Sequence, residues 1–256
     1  AGGNKNTFNV DDVGYASAAA AGLTGGDITP SGASVGTKQG FSIIQYAGTN
    51  NASTQTIPHG LSQKPDFMIV KQLTDASTGW TIYHSSLGAT KYLLFDATKA
   101  GTNSGPWGDT EPTSSLFTVG SGFNSTNRVS RNFISYHWHS VPGLQKFGTY
   151  EGNESTNGPF IELGFRPAMV MVRNVDENSN DWKIYDGTRN PHNVVTQVLY
   201  PNLNNSEDAN TGLDFLSNGF KLRDSGSAQN GAETIIYAAW AEAPSIDLYG
   251  GGANAR

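Results

Sequence analysis

The chain has 256 residues, a net charge of −6 and no cysteine. This length permits one large domain or two ordinary ones. The acidic balance argues against nucleic acid as a partner, and the missing cysteines exclude disulfides and thiol chemistry. No segment has the roughly 18 uninterrupted apolar residues of a membrane helix, so we expect no membrane insertion. With 31 glycines and only 15% charged residues, the composition favours β-structure with many turns.

Residues 1–40 match no other part of the chain, and we interpret them as an N-terminal extended arm or linker. Within it, NVDDVGYASAAAAGL (9–23) predicts a short helix, because Asn9 can cap it, Asp12 follows three residues later and Gly22 supplies a stop. GASVG (32–36) fits the G-x-S-x-G pattern of hydrolase nucleophiles. That motif needs a strand before the serine and a helix after it, and we interpret these flanks as a linker.

The rest of the chain contains an internal repeat. Pro65-Asp-Phe-Met-Ile-Val-Lys71 matches Pro167-Ala-Met-Val-Met-Val-Arg173, and Trp80-Thr-Ile-Tyr83 matches Trp182-Lys-Ile-Tyr185 at the same shift. A constant shift is the sign of a duplication. We therefore predict β module 1 at 41–143, β module 2 at 144–245, and a Gly-rich C-terminal tail at 246–256.

Short β-branched and aromatic runs between turn residues predict strands in both modules. In Trp-x-Ile-Tyr the second position is Thr81 in one copy and Lys183 in the other. We expect this lysine to reach water, which turns the residues on either side of it toward the core. The predicted structural core positions are Trp80, Ile82, Trp138, Trp182, Ile184 and Trp240. The fold class is all-β: two tandem duplicated antiparallel modules resembling a β-sandwich or jelly roll.

The HWH sequence places His137 and His139 on one face of a strand, a spacing compatible with a metal site or another ligand. The second copy has Ala239 and Ala241 at these places. The fold therefore does not require the histidines. We interpret them as surface residues of module 1, and we name no metal there because no third ligand is identifiable.

Glycoside hydrolysis needs two carboxylates across a cleft. Asp109 and Glu111, beside Trp107 in WGDTEPT, form the best local pair, and the indole ring suits stacking on a sugar. We predict carbohydrate binding here as the alternative to an ordinary solvated loop. In DENSND, Asp176 and Asp181 mark a weak calcium candidate, although the loop lacks EF-hand spacing. We predict no cofactor.

The phrases GFSIIQYAGTN, GLSQKPDFMIVK and WTIYHSSLGATKYLLF in the first copy, with FGTYEGNESTNGPFIELGFRPAMVMVR and IYAAWAEAP in the second, resemble a known domain of unknown function. That domain is found at the C-terminal ends of tail-fibre-like and other virion proteins of marine bacteriophages, including cyanophages and pelagiphages. The resemblance covers about 40–256. It implies a virion component built of β modules, and it assigns no catalytic or ligand residues.

From this resemblance we expect a non-enzymatic bacteriophage virion surface protein: a tail fibre, a tip or a capsid decoration module that acts in assembly or host attachment. Its expected partners are other virion proteins, copies of itself (a trimer by analogy with fibres) and a bacterial surface glycan. The alternatives are a depolymerase on a phage spike and a secreted bacterial adhesin or filament subunit. The arm also suggests a larger precursor.

Overall fold

The computed structural model describes residues 7–49, 53–75, 77–95, 100–101, 105–121, 123–177 and 180–243. These residues divide into two compact units. Unit 1 takes residues up to 94 together with 101–139, and unit 2 takes 95–100 together with the residues from 140 onward. Within the described ranges, no helix has the length and apolar character required to cross a membrane.

Among the described residues, ten strands lie in unit 1, and an eleventh, Ala100–Gly101, spans its boundary with unit 2. They are β1 (Phe8–Val10), β2 (Val13–Tyr15), β3 (Gly32–Gly36), β4 (Phe41–Ala47), β5 (Gln55–Pro58), β6 (Phe67–Gln72), β7 (Thr81–His84), β8 (Tyr92–Leu94), β9 (Ala100–Gly101), β10 (Leu116–Val119) and β11 (Asn132–Trp138). Nine of them form one sheet in the order β2-β1-β3-β4-β11-β6-β7-β8-β9, while β5 and β10 pair separately. The buried cluster of this unit includes Ile44 and Tyr46 from the large sheet and Ile57 and Phe117 from the small one.

The N-terminal segment corrects one prediction, because the short helix expected within 9–23 is absent. Val10 and Val13 instead close a hairpin between β1 and β2. Its turn residues Asp11 and Asp12 have φ of 48° and 66°, the backbone conformation of a tight hairpin turn. Because these residues are already used in the hairpin, too few remain before Gly22 for a stable helix. The alanines that follow form turns.

The same segment extends the sheet of unit 1. Strand β1 runs parallel to β3, and β3 pairs antiparallel with β4. The residues expected to form a linker therefore include the strand GASVG. A tight turn leads from β3 into β4, so the serine of the hydrolase-like motif is not followed by a helix.

In the part of unit 2 that the structure describes, there are eight strands and one four-residue helix, α1 (Ser227–Asn230). The strands are β12 (Gln145–Glu151), β13 (Phe160–Glu162), β14 (Pro167–Asn174), β15 (Lys183–Asp186), β16 (Val195–Val198), β17 (Asp208–Leu216), β18 (Gly219–Leu222) and β19 (Thr234–Ala241). They form two antiparallel sheets, β12-β19-β14-β15 and β13-β18-β17-β16. A single bridge between Ile184 and Leu199 joins the two sheets along one side.

The two units share a strand order. In unit 1 the central strands run β4-β11-β6-β7, and in unit 2 they run β12-β19-β14-β15. In each unit the first of these strands carries a buried tyrosine: the Tyr46 hydroxyl donates to the carbonyl oxygen of Thr126, and the Tyr150 hydroxyl donates to that of Gln229, both at 2.7 Å. The nearly all-β architecture agrees with the predicted fold class. The duplication itself stays a prediction from the sequence.

The predicted core positions divide into two groups. Ile82 and Trp182 are buried. Trp80 is 37% exposed, and Trp138, Ile184 and Trp240 are only half-buried, so these four are corrections.

The reason is the orientation of the strands. On β7, Thr81 and Tyr83 face the buried cluster of unit 1. On β15, Lys183 and Tyr185 face the buried cluster of unit 2. Trp138 lies on the opposite face of its sheet, where its ring stacks on Phe41 at 4.8 Å.

Candidate functional site

Glu111 forms a hydrogen-bond centre in unit 1. Its Oε2 accepts bonds from the Tyr83 hydroxyl and the Lys64 Nζ, and its Oε1 accepts one from the Ala89 backbone N–H, each at 2.6 Å. Partial burial raises the pKa of Glu111, but the bonds from Lys64 and Tyr83 outweigh it, so the pKa lies below its usual range. The carboxylate is ionised and ties a loop to a buried tyrosine.

Trp107 does not offer the sugar platform that the sequence suggested. Its side chain is 1% exposed and packs edge-on against the Tyr83 ring at 5.9 Å. Asp109 is exposed, in a turn with φ of 54°. Burying an indole removes a large apolar area from water, so this tryptophan contributes to the fold rather than to a solvent-facing surface. Carbohydrate binding at Asp109 and Glu111 stays a prediction.

The two histidines of HWH face the core, which corrects their expected surface position. His137 is 0% and His139 3% exposed. The His137 ring lies 4.4 Å from Phe117 and 5.8 Å from His59, a third buried imidazole. The alternation along β11 shows that His137 and His139 share one face of the strand. The sequence does not reveal whether that face points toward the core or toward solvent. His59 was missed because it stands alone after β5, in IPHGL.

His59 and His137 act as neutral hydrogen-bonding groups. The Nδ1 of His59 accepts from the Leu61 N–H at 3.1 Å, and its Nε2 donates to the Thr113 carbonyl oxygen at 3.2 Å. Burial lowers the pKa of His59 to about 4 and holds that of His137 well below its ordinary value. Both ring nitrogens of His59 are therefore engaged within the protein. Among the described residues there is no group of three or more potential ligands that suits a metal ion.

The calcium candidate loop gives its two acidic residues different partners. Asp176 Oδ2 accepts the Thr234 backbone N–H at 2.8 Å, and Asp181 Oδ1 accepts the Asn202 side-chain amide at 2.6 Å. Residues 178 and 179 of this loop lie outside the described residues. The carboxylates hold neighbouring segments of unit 2, so the structure offers no additional reason for calcium binding here.

A polar cluster inside unit 2 escaped the sequence reasoning. Lys183, expected in water, is 5% exposed, and its Nζ donates to Gln229 Oε1 at 2.9 Å. The Tyr185 hydroxyl donates to the same oxygen at 2.5 Å, and Gln229 Nε2 donates to Asp224 Oδ2 at 2.7 Å. We call these four residues the lysine cluster. It combines an amine, a carboxamide, a phenol and a carboxylate in a buried site. The one available sequence signal is that Lys183 replaces the threonine of the first copy.

The chain matches one family over nearly its whole length: residues 3–244 fit the model of Domain of unknown function (DUF7483). The chain belongs to this family. A comparison of this DUF7483 protein with curated proteins finds no match, and a comparison with solved structures finds none either.

Proposed function

We propose that this DUF7483 protein is a non-enzymatic bacteriophage virion surface protein that acts in assembly or host attachment. The observation that carries the proposal is that the groups singled out for chemistry serve the fold. Glu111 accepts three protein hydrogen bonds, and Trp107 and His137 are buried. The sequence resemblance to modules at the ends of phage fibre proteins supplies the biological setting.

The β architecture supports the same proposal. Each unit presents antiparallel strands joined by loops rich in small neutral polar residues, and such loops suit recognition on a rigid scaffold. The proposed partners are other virion proteins, further copies of this chain in a trimer, and a bacterial surface glycan. The proposed location is the surface of the particle.

The direct test is whether purified virions contain this chain. Virions of a phage that encodes this chain would be purified on a density gradient, and the chain quantified by mass spectrometry against the major capsid protein. We expect a fixed ratio that survives a second gradient, and antibodies against the chain should block adsorption if it contacts the host. A chain found only in the lysate would contradict the proposal.

An activity assay separates the proposal from the depolymerase alternative. The purified chain would be incubated with host capsule polysaccharide and assayed for reducing ends. We expect no release. Release that disappears in Asp109→Asn, an exposed position whose change leaves the fold intact, would overturn the proposal. Glu111→Gln needs a circular-dichroism control, because this residue also stabilises unit 1.

A further inference from the structure

Lys183 and Gln229 place an amine against a carboxamide inside the core of unit 2. Lys183 lies on β15 and Gln229 on α1, at 5% and 0% exposure respectively. The Lys183 Nζ is 2.9 Å from Gln229 Oε1. Gln229 is held from the other side, because its backbone oxygen accepts the Tyr150 hydroxyl at 2.7 Å. Both reacting groups are thus confined at contact distance, a condition that replaces an encounter in solution.

The two ends of the Gln229 carboxamide have different neighbours. Its oxygen accepts the hydroxyl of Tyr185 at 2.5 Å, and its nitrogen donates to a carboxylate oxygen of Asp224 at 2.7 Å. When an amine attacks a carboxamide, negative charge develops on the oxygen, where a fixed donor stabilises it. The nitrogen must leave as ammonia, for which it needs a proton from a nearby acid. The lysine cluster contains both groups.

We propose that Lys183 and Gln229 join in an intramolecular isopeptide bond. The free amine of Lys183 attacks Gln229 Cδ, and the Nζ–Cδ bond forms. Asp224, whose Oδ2 is 2.7 Å from Gln229 Nε2, takes one proton from the attacking nitrogen and passes it to the leaving nitrogen. The Cδ–Nε2 bond then breaks and one ammonia departs. The other Nζ proton stays as the amide N–H, and Asp224 is a carboxylate again. No oxidant, metal or other reactant is needed.

The electrostatics of the cluster agree with these roles. Burial lowers the pKa of Lys183, although the carboxylates of Asp224, Asp181 and Asp208 oppose the shift, and a lowered pKa increases the fraction of reactive amine. Burial raises the pKa of Tyr185, so its hydroxyl stays protonated and able to donate. These directions favour the free amine of Lys183 and the protonated hydroxyl of Tyr185.

The matching positions of unit 1 do not carry this chemistry. Thr81 stands at the position that matches Lys183, and Thr126 at the position that matches Gln229. Thr81 Oγ1 donates to Ser125 Oγ at 2.6 Å, and Thr126 Oγ1 donates to the Pro106 carbonyl oxygen at 3.2 Å. The cross-link goes beyond the proposed virion function and does not depend on it. It would give a covalent brace to a chain that has no cysteine.

The test is the mass of the intact chain. The full-length protein would be expressed, purified folded, incubated, denatured, and measured by high-resolution mass spectrometry. We expect a mass lower than that of the sequence by one ammonia. Proteolysis should yield one branched peptide that joins the segments containing Lys183 and Gln229, with no tryptic cleavage after Lys183.

Variants assign the bond to its residues. Lys183→Met and Gln229→Leu should restore the full mass. Asp224→Asn should slow ammonia loss by about a hundredfold or more, as for loss of a general acid–base group. Tyr185→Phe should slow it by about a hundredfold, as for loss of an oxyanion donor. Lys146→Met is the matched control, since its Nζ binds the carbonyl oxygen of Glu162, and it should keep the loss.

Two results would overturn the proposal. The first is a folded wild-type chain that keeps its full mass after prolonged incubation between neutral and mildly alkaline pH. The second is an ammonia loss that persists in Lys183→Met and that mild base converts to aspartate or isoaspartate, because this identifies a succinimide at one of the pairs Asn157–Gly158, Asn218–Gly219 and Asn230–Gly231. The wild-type mass decides the question even if a variant fails to fold.

Discussion

Each unit fixes its first central strand, and the residues just after it, to a distant segment with the same pair of anchors. A tyrosine hydroxyl donates to a backbone carbonyl of that segment, and an asparagine Oδ1 of the segment accepts a backbone N–H: Asn127 from Thr49 at 2.9 Å, and Asn230 from Asn153 at 3.0 Å. The residues buried nearby differ. Unit 1 buries four histidines among its described residues. At three of them, His59, His137 and His139, the matching positions of unit 2 hold Leu163, Ala239 and Ala241, and unit 2 buries the lysine cluster. The shared anchors therefore belong to the common fold, and the chemistry of the two units differs in the side chains buried beside those anchors.

The largest expected effect tests what the units share. Gly48 and Gly152 hold matching positions, and a Cβ there would lie 2.2 Å from the Arg128 carbonyl oxygen and 1.9 Å from that of Gly231. Because backbone cannot move aside cheaply, Gly48→Ala and Gly152→Ala should each destabilise their own unit by about 3 kcal/mol or more. Hydrogen exchange, read unit by unit, measures this. Full protection of the substituted unit in either variant would show that the two glycines do not have the same role.

Acid should destabilise unit 1 before it destabilises unit 2. The pKa of His59 falls from 6.5 to about 4 on folding, so the unfolded chain binds more protons between these values. Stability of unit 1 is complete above about pH 6.5 and declines as the pH falls toward 4, by about 3 kcal/mol from His59 alone, with His137 adding to the loss. Hydrogen exchange across this range should show β4 and β11 losing protection before β12 and β19.

The control variant replaces two buried histidines of unit 1 by the residues that stand at the matching positions of unit 2. His59→Leu combined with His137→Ala should flatten the pH dependence of unit 1, whatever its cost at neutral pH. If both units lose protection together in the wild type, or if the double variant keeps the same slope, buried histidine protonation is not the cause.

A smaller effect is expected at the hydrogen-bond centre of unit 1. Glu111→Ala would leave the hydroxyl of Tyr83 and the N–H of Ala89 without their acceptor, at a cost of about 2 kcal/mol. Chemical denaturation of unit 1 measures this, with Asp109→Ala as a control that should change little. An Asp109 effect as large as that of Glu111 would contradict the assignment.

The smallest effect concerns the tyrosine anchors. Tyr46→Phe and Tyr150→Phe each remove one donor to a buried carbonyl, and we expect each to cost about 1 kcal/mol in its own unit. Equal losses, measured by denaturation with unit-specific probes, would show that the anchors are equivalent. A loss in only one unit would restrict the anchor role to that unit.

The sequence predicted the kind of fold better than the direction of its side chains. Alternation and turn residues identified strands such as Phe67–Gln72 and Thr81–His84, because these patterns are local. All four residues of β7 are buried, so alternation there carries no information on which face is inward. The assumption that a lysine must reach water then chose the wrong face at Lys183.

The candidate site could not be foreseen for a related reason. The lysine cluster joins residues from β15, from the segment before α1 and from α1 itself, and none of them forms a motif in the chain. His59 meets His137 only because two sheets pack face to face. Long-range proximity of this kind follows from packing, which one sequence does not specify.

Lys183 and Gln229 also enclose the chain between them, which includes β16, β17 and β18. If unit 2 is pulled by its ends, as a fibre is during attachment, a covalent link between these residues carries the load past everything inside. The enclosed stretch would then release none of its length, about 150 Å of extended chain. A hydrogen-bonded pair yields under such force, whereas an amide does not, so this one contact decides whether the enclosed part of unit 2 can stretch.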